Sequence, residues 1–524
     1  MAPMETTAAN HSTCWVRRPA GAMCPSASAD GRCSARTAPG RNILLRSIVA
    51  TAIALSGCSS MLITPSADVS TVPVPAAWSN GGATASATSL ADWWQRFDDP
   101  QLTALITQAL RTNNDVRTAT AALQQSRALR DVTAAGLFPS VNASASAQRI
   151  KSARVAPTNA FQAGFDAGWE PDIFGGVRAG VAAADANTGA AAASLGNVQV
   201  SIAAEVAATY MELRALELRL AIARDNLASQ EETQQIAEWR AQAGLTTSLD
   251  VEQARTSTEQ TRAQIPALEA SIAQAQSSLA VLVGVTPEAM QASLPSYTAV
   301  PAASDNLAFA FPAETLRQRP DIRQAEYSVS AAASQVTQAD AARYPTFRLS
   351  GTLGLSALTL SGLGGSSALA AALLGSVSVP VFDGGGLAAQ VRVQEAALVQ
   401  ARIGYESAVL SALKEVEDAL VSLRTSRERL ATLRRASEAA KNASLLARYR
   451  YNSGLIDFQS VLQTQVTLLQ VQDSVANAQA AIGVAHVQLY KALGGGWNPE
   501  STALDSPGNQ SPTVPLAAST IGSS

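Results

Sequence analysis

Phe161-Gln162-Ala163-Gly164-Phe165-Asp166-Ala167-Gly168-Trp169 runs into Glu170-Pro171-Asp172-Ile173-Phe174-Gly175-Gly176-Val177, and the period of the chain changes across that join. Before it, Phe161, Ala163, Phe165, Ala167 and Trp169 alternate with Gln162, Gly164, Asp166 and Gly168. A period of two puts the apolar set on one face of a strand and the polar set on the other. After it, no proline occurs from Val177 to Gln242. An unbroken helix over those 66 residues is ~100 Å long at ~1.5 Å per residue, against an average helix of about 11–12 residues. Its apolar positions Val206, Leu213, Leu216, Leu220 and Leu227 step by seven, three, four and seven, the spacing of a coiled-coil seam. The competing reading, several short helices in a globular bundle, needs turn signals that this stretch mostly lacks.

Working outward, the same layout recurs. Asp115-Val116-Arg117 falls on Asp321-Ile322-Arg323 and Phe138-Pro139 on Tyr344-Pro345, both at an offset of 206. Glu205-Val206 falls on Glu415-Val416, Arg240…Gly244 on Arg450…Gly454, Gln253 on Gln463 and Gly284 on Gly494, all at 210. An offset held over such lengths marks a duplicated unit. Ile265, Leu268, Ile272, Ala275, Leu279 and Leu282 form a second seam of threes and fours. Leu413, Val416, Leu420, Leu423, Leu430 and Leu433 repeat the first seam in the later copy.

Three further runs have period two. Val141, Ala143, Ala145 and Ala147 alternate with Asn142, Ser144, Ser146 and Gln148. Phe347, Leu349, Gly351, Leu353 and Leu355 alternate with Arg348, Ser350, Thr352 and Gly354, and Val377, Val379 and Val381 make a fourth run. Runs of about 9–10 residues are what a tilted strand needs to cross a bilayer. Phe161 and Trp169 stand at the two ends of one strand, where interfacial aromatics belong. Ile150–Ala160 and Ser356–Ala372 read as external loops. Four strands cannot close a barrel, and open strand edges cannot face lipid. Two, three or four chains must therefore share one barrel, with the helices continuing it as a second; the pattern does not choose among these counts.

Composition excludes much else. Of 524 residues, 47% are apolar and 15% charged, with a formal net charge of −3, so no nucleic-acid partner is indicated. The cysteines are Cys14, Cys24, Cys33 and Cys58, and the histidines His11 and His486. A chain that begins at Cys58 has no internal disulfide and no Cys/His zinc site. Lys151, Lys414, Lys441 and Lys491 are the only lysines and none follows a glycine, so no phosphate-cradling GxxxxGK[ST] loop is present. Enzymes built only on carboxylates survive this filter, but no paired acids sit in a recognisable constellation, so the chain is expected not to be an enzyme, with no metal and no cofactor beyond a covalent lipid. His486, among Ile482, Ala485 and Leu489, is expected to pack rather than to bind metal.

Arg41 and Arg46 precede the short apolar run Ile48–Leu55, followed by Leu55-Ser56-Gly57-Cys58, the layout of a secretory signal. Residues 1–57 are read as this signal region, with 1–40 fitting no signal pattern and read as lying ahead of a misassigned start codon, and 58–89 as a tether rich in Ser, Ala, Pro and Gly. The duplicated units follow at 90–294 and 307–496, and 497–524 reads as a disordered tail.

Trp93-Trp94-Gln95-Arg96-Phe97-Asp98-Asp99-Pro100-Gln101-Leu102 resembles the opening motif of TolC-like outer-membrane efflux proteins of the OprM/NodT lipoprotein type. So do Trp169–Gly176, Pro380-Val381-Phe382-Asp383-Gly384-Gly385 and Gly454-Leu455-Ile456-Asp457-Phe458; Arg319-Pro320-Asp321-Ile322-Arg323-Gln324-Ala325-Glu326 is the most specific match. The likeness covers about 90 to 496, in order. Leu-Ser-Gly-Cys resembles a lipobox, which implies lipidation of Cys58, and Ser59 after it implies the outer membrane.

The resemblance implies a mixed fold, an all-α coiled-coil barrel plus a transmembrane β-barrel, with four strands per chain. It implies a homotrimer with a 12-strand barrel and a long periplasmic α-helical barrel. It also implies docking to a periplasmic adaptor (membrane fusion) protein and an inner-membrane pump of the RND class. The chain is then a passive efflux duct for small molecules such as drugs. A type I secretion duct for polypeptides shares the fold, and a coiled-coil structural lipoprotein leaves the strands unexplained. The family closes its periplasmic entrance just around the second helix–helix turn. Tyr451 matches the family's tyrosine there, Asp457 lies in the turn, Gln463 stands where relatives often carry an acidic ring residue, and Ser460 lies one turn earlier. These four are the gate candidates, with turn capping as the competing role for Tyr451 and Asp457.

Overall fold

The computed structural model describes residues 90–152, 155–294, 299–302 and 313–497. The chain divides into a unit Met1–Met61, outside the described residues, and a unit Leu62–Ser524 that holds all of them. Cys58, the tether to Ser89 and the tail from Asn498 therefore lie outside the described residues.

The first copy is built from α1 (Pro100–Thr112), α2 (Asn114–Ala135), β1 (Ser140–Ser152), β2 (Val155–Trp169), α3 (Gly176–Gln242), α4 (Ser248–Val283) and the short α5 (Pro287–Ser293). The second copy follows with α6 (Pro320–Ala341), β3 (Thr346–Ala357), β4 (Leu369–Ser378), α7 (Gly386–Asn452) and α8 (Phe458–Ala492). Helices α3 and α7 each run 67 residues without a break, ~100 Å at ~1.5 Å per residue. Both long helices end alike. Leu245 N donates to Arg240 O and Leu455 N to Arg450 O, each at 2.8 Å, across Gly244 and Gly454. Those glycines have φ of 70° and 69°, a left-handed turn that glycine adopts without steric cost.

The strands form one antiparallel sheet in the order β1-β2-β3-β4. Ala143 opposes Phe165, Phe165 opposes Leu353, and Leu353 opposes Ala371, so the apolar positions of all four strands share one face. Asn142, Asp166, Thr352 and Ala372 line up on the other. Edges β1 and β4 are unpaired among the described residues.

Two expectations about the strands change. Strands β1 and β2 extend to Ser152 and from Val155, so most of Ile150–Ala160 is a paired ladder and not a loop. Likewise β4 starts at Leu369, which leaves Val379 and Val381 beyond its end. Leu369-Ala370-Ala371-Ala372-Leu373-Leu374 is apolar on both faces, so period two is invisible where the strand begins.

The core lies midway along the rods. Trp93 stacks on Tyr490 at 5.3 Å and meets Trp94 and Phe97 edge-on. Around them Leu102, Ile106, Tyr210, Met211 and Leu213 are buried. The opening motif is thus a plug of aromatic side chains that joins α1 to the long helices. The Arg319–Glu326 motif has a comparable reason. Arg319 is buried, pairs with Asp321 and with Glu415 of α7 at 2.7 Å, and donates to Ala492 O at the end of α8. Its counterpart in the first copy, Asn113, donates to Leu282 O at the end of α4, 2.8 Å away. Both tie a short helix to the orphan carbonyls of a long one.

Candidate functional site

The ends of the rods farthest from the sheet are the two helix–helix turns. Leu245 and Leu455 stand out from them, 69% and 73% exposed. Each following helix opens on a carboxylate–hydroxyl pair, but with the partners exchanged. Thr247 caps α4 and Asp250, three residues on, returns the bond in a capping box. In the second copy Asp457 is the cap, and it accepts from Ser460 N at 2.9 Å and from the Ser460 hydroxyl. The Ser460 bonds hold the Asp457 carboxyl below its ordinary range, and the charge of nearby Asp250 partly opposes them. Donation from Thr246, and then from Thr247, likewise lowers Asp250.

Tyr451 is buried beside this cap. Its ring centroid lies 5.2 Å from that of Phe458, and the Arg240 guanidinium sits 4.4 Å from the Tyr451 centroid. Arg240 also donates to Tyr451 O at 3.1 Å, so a cation at the end of α3 bridges to the end of α7. The Tyr451 hydroxyl is buried without a hydrogen-bond partner among the described residues. Gln463 and Ser460 are exposed, one turn apart on α8. The structure therefore brings Tyr451, Asp457 and Ser460 to one tip and leaves Gln463 just above it, facing solvent. Sequence reasoning missed Arg240. The signal was the matched pair Arg240/Arg450, read only as a repeat marker.

Above the tip, α3 and α8 meet along a polar seam. Thr233 accepts from Gln465 at 2.8 Å, Asn226 donates to Gln472 at 2.8 Å, and Arg219 pairs with Asp473 at 2.5 Å. Glu232 pairs with Arg448 of α7 at 2.8 Å. On the sheet, Ser144 donates to Asp166 at 3.0 Å on the polar face. His486 is buried against the edge of Phe97; its Nδ1 lies 3.0 Å from Ile482 O and its Nε2 3.2 Å from Arg427. A carbonyl requires the proton on Nδ1, which leaves Nε2 to accept from the guanidinium, so the network assigns a neutral packed imidazole. No group of three or more metal-ligating side chains occurs among the described residues.

A wall of four strands with one apolar face, continued by long paired rods, fits a transmembrane duct. The family model for outer membrane efflux proteins matches residues 105–285 and 311–495, one match per copy. The chain belongs to this family. It is 31% identical over 466 residues to the toluene efflux pump outer membrane protein TtgI of Pseudomonas putida, which covers 85% of this chain and 96% of that protein. It is 28% identical over 457 residues to nodulation protein T of Rhizobium leguminosarum bv. trifolii, covering 86% and 97%. Among solved structures, the outer-membrane channel OprN superposes with a TM-score of 0.75 at 35% identity, over 83% of this chain and all of that one. VceC of Vibrio cholerae gives 0.72 at 29%, over 78% and 99%. This chain is an outer-membrane efflux channel protein, with the TolC-like architecture of those neighbours.

Proposed function

We propose that three copies of this chain close one 12-strand barrel in the outer membrane and one α-helical barrel beneath it. The ring is the passive duct of a tripartite system. The observation that carries this reading is the sheet: one face apolar through all four strands, and edges β1 and β4 open. Lipid offers those edges no hydrogen-bonding partner, so further copies must. The boundaries 90–294 and 307–496 are the two wall units of each copy.

Energy comes from an inner-membrane pump of the RND class, linked by a periplasmic adaptor that meets the exposed tips at Leu245 and Leu455. The cargo is small molecules, in keeping with the toluene named for TtgI. Cys58 carries the lipid that holds the tether to the outer membrane. Tyr451, Asp457, Ser460 and Gln463 form the entrance.

Purified protein is expected to run as a heat-modifiable, detergent-stable trimer and to form ion-conducting pores in planar bilayers. A monomer without conductance overturns the duct. Replacing Tyr451 and Asp457 together by alanine raises the conductance of those pores; unchanged conductance removes both residues from the gate.

A further inference from the structure

Strand β1 changes character before it ends. Val141, Ala143, Ala145 and Ala147 hold the apolar face, and the next two positions on that face are Arg149 and Lys151. The register puts Asn159 of β2 directly across from Arg149, the next pair on this face after Ala147 and Phe161. The other face inverts at the same level, where Ile150 opposes Thr158 and is 48% exposed.

The height of this change is set by the strands. Helices join the first hairpin at the Ser140 and Trp169 ends, so the β1–β2 turn is the end away from them. Ten residues separate Trp169 from Asn159, roughly 33 Å along the strand and about 25 Å across a bilayer when the strand is tilted by about 40°. That is the height of the apolar band of a transmembrane barrel, with an aromatic girdle at each rim. Trp169 stands at the rim near the helices and Phe161 at the far one. Arg149 and Lys151 come one step outside Phe161, where a cation meets headgroups instead of hydrocarbon.

The chain offers these cations no anion. No acidic residue occurs from Ser140 to Phe165. Both side chains are exposed, and neither makes a side-chain hydrogen bond or an ion pair among the described residues. At the other end of the sheet, by contrast, Arg178 is engaged by Asp172 at 3.2 Å. The second hairpin does not repeat the pair, since no charged residue lies between Arg348 and Asp383. The two cations are therefore a feature of one hairpin and not of strand ends in general.

We propose that Arg149 and Lys151, with Asn159 across from them, bind the phosphates of an outer-leaflet glycolipid, one lipid per chain. Two positions apart on one strand, the cations stand about 7 Å from each other. That spacing suits a headgroup with phosphates on linked sugars better than one with a single phosphodiester. The guanidinium can grip a phosphate with two parallel hydrogen bonds, the ammonium pairs with a second as a point charge, and the Asn159 amide can donate to a sugar oxygen. This rests on the reading above that the sheet is a wall in the outer membrane with the helices on its periplasmic side.

The test incubates the purified full-length protein in detergent with bis-phosphorylated lipid A, with the same lipid stripped of its phosphates, or with phosphatidylglycerol, and counts bound lipid by native mass spectrometry. The expected result is one bis-phosphorylated lipid A per chain and much weaker retention of the other two. Arg149→Gln with Lys151→Gln is expected to weaken binding about 25-fold, at about fivefold for each charge near a membrane surface. Arg149→Lys, which keeps the charge, should hold most of the binding. Arg348→Gln removes an exposed cation from the polar face of β3 and should leave binding unchanged, which separates the site from net charge. Retention unaffected by the double substitution, or phosphate-free lipid or phosphatidylglycerol held as tightly as bis-phosphorylated lipid A, overturns the proposal. A monomer peak in place of a trimer is a failure of the ring reading instead, because lipid per chain and its loss in the variant are read on either species.

Discussion

Asp457 and Asp250 do the same work from opposite ends of the same motif, and both depend on charge. A carboxyl lowered in the folded tip binds fewer protons than it does when the tip frays. Its contribution is fully present above the ordinary carboxylate range, at about pH 4, and is lost as pH falls through the lower folded value. The protection factor of the Ser460 amide, which donates to Asp457, is therefore expected to fall as pH drops below about 4. Asp457→Asn, which keeps an accepting oxygen without the charge, should flatten that dependence; an equally steep profile in the variant assigns it to another group. The place of Asp457 and Tyr451 was legible because a glycine must end each rod. Their roles were not. Asp457 is at least a helix cap, and the partner of Tyr451 is Arg240, 211 residues earlier and on another hairpin. No local pattern reports such a contact.

Elements were legible in proportion to how one-sided they are. The first long helix, read as Val177–Gln242, runs Gly176–Gln242 because no proline interrupts it, and the second was marked only by its repeated seam. The start of β4 was hidden because Leu369–Leu374 carries no polar alternation, and β1 and β2 ran on into Ile150–Ala160, which reads as a loop because its alternation is broken. Small residues in the rods also have individual duties that composition does not assign. Gly189 faces the Tyr327 ring so closely that any side chain must displace it. Gly189→Val is expected to destabilise the chain by ~1–3 kcal/mol through overpacking. Combining it with Tyr327→Ala should return part of that loss, a coupling read from urea midpoints of the four proteins of a double-mutant cycle. Strict additivity would place the valine's cost elsewhere than at α6.

For the whole molecule, the open sheet edges made an assembly necessary from sequence alone, whereas the number of copies came only from resemblance, because one chain's strands fit several ring sizes. The lipid anchor is a question of reach. Leu90 O accepts from Gly496 N, and Gly496 lies against Ala203. Ala203 stands 27 residues along α3 from Gly176, where the helix leaves the sheet, so the tether begins ~40 Å from the membrane side of the rod at ~1.5 Å per residue. From Cys58 to Leu90 the chain has 32 steps, up to ~105 Å when extended at about 3.3 Å each. Removing 66–77 leaves 20 steps, roughly 66 Å by the same measure, and is expected to preserve trimers and efflux. Removing 66–87 leaves 10, only ~33 Å, so the lipid and the Trp93 plug cannot both be seated. That variant should lose heat-modifiable trimer in membrane fractions and regain it when Cys58→Ser frees the terminus from the membrane. Full assembly of the shortest tether with its lipid attached would show that the anchor does not sit at the outer membrane.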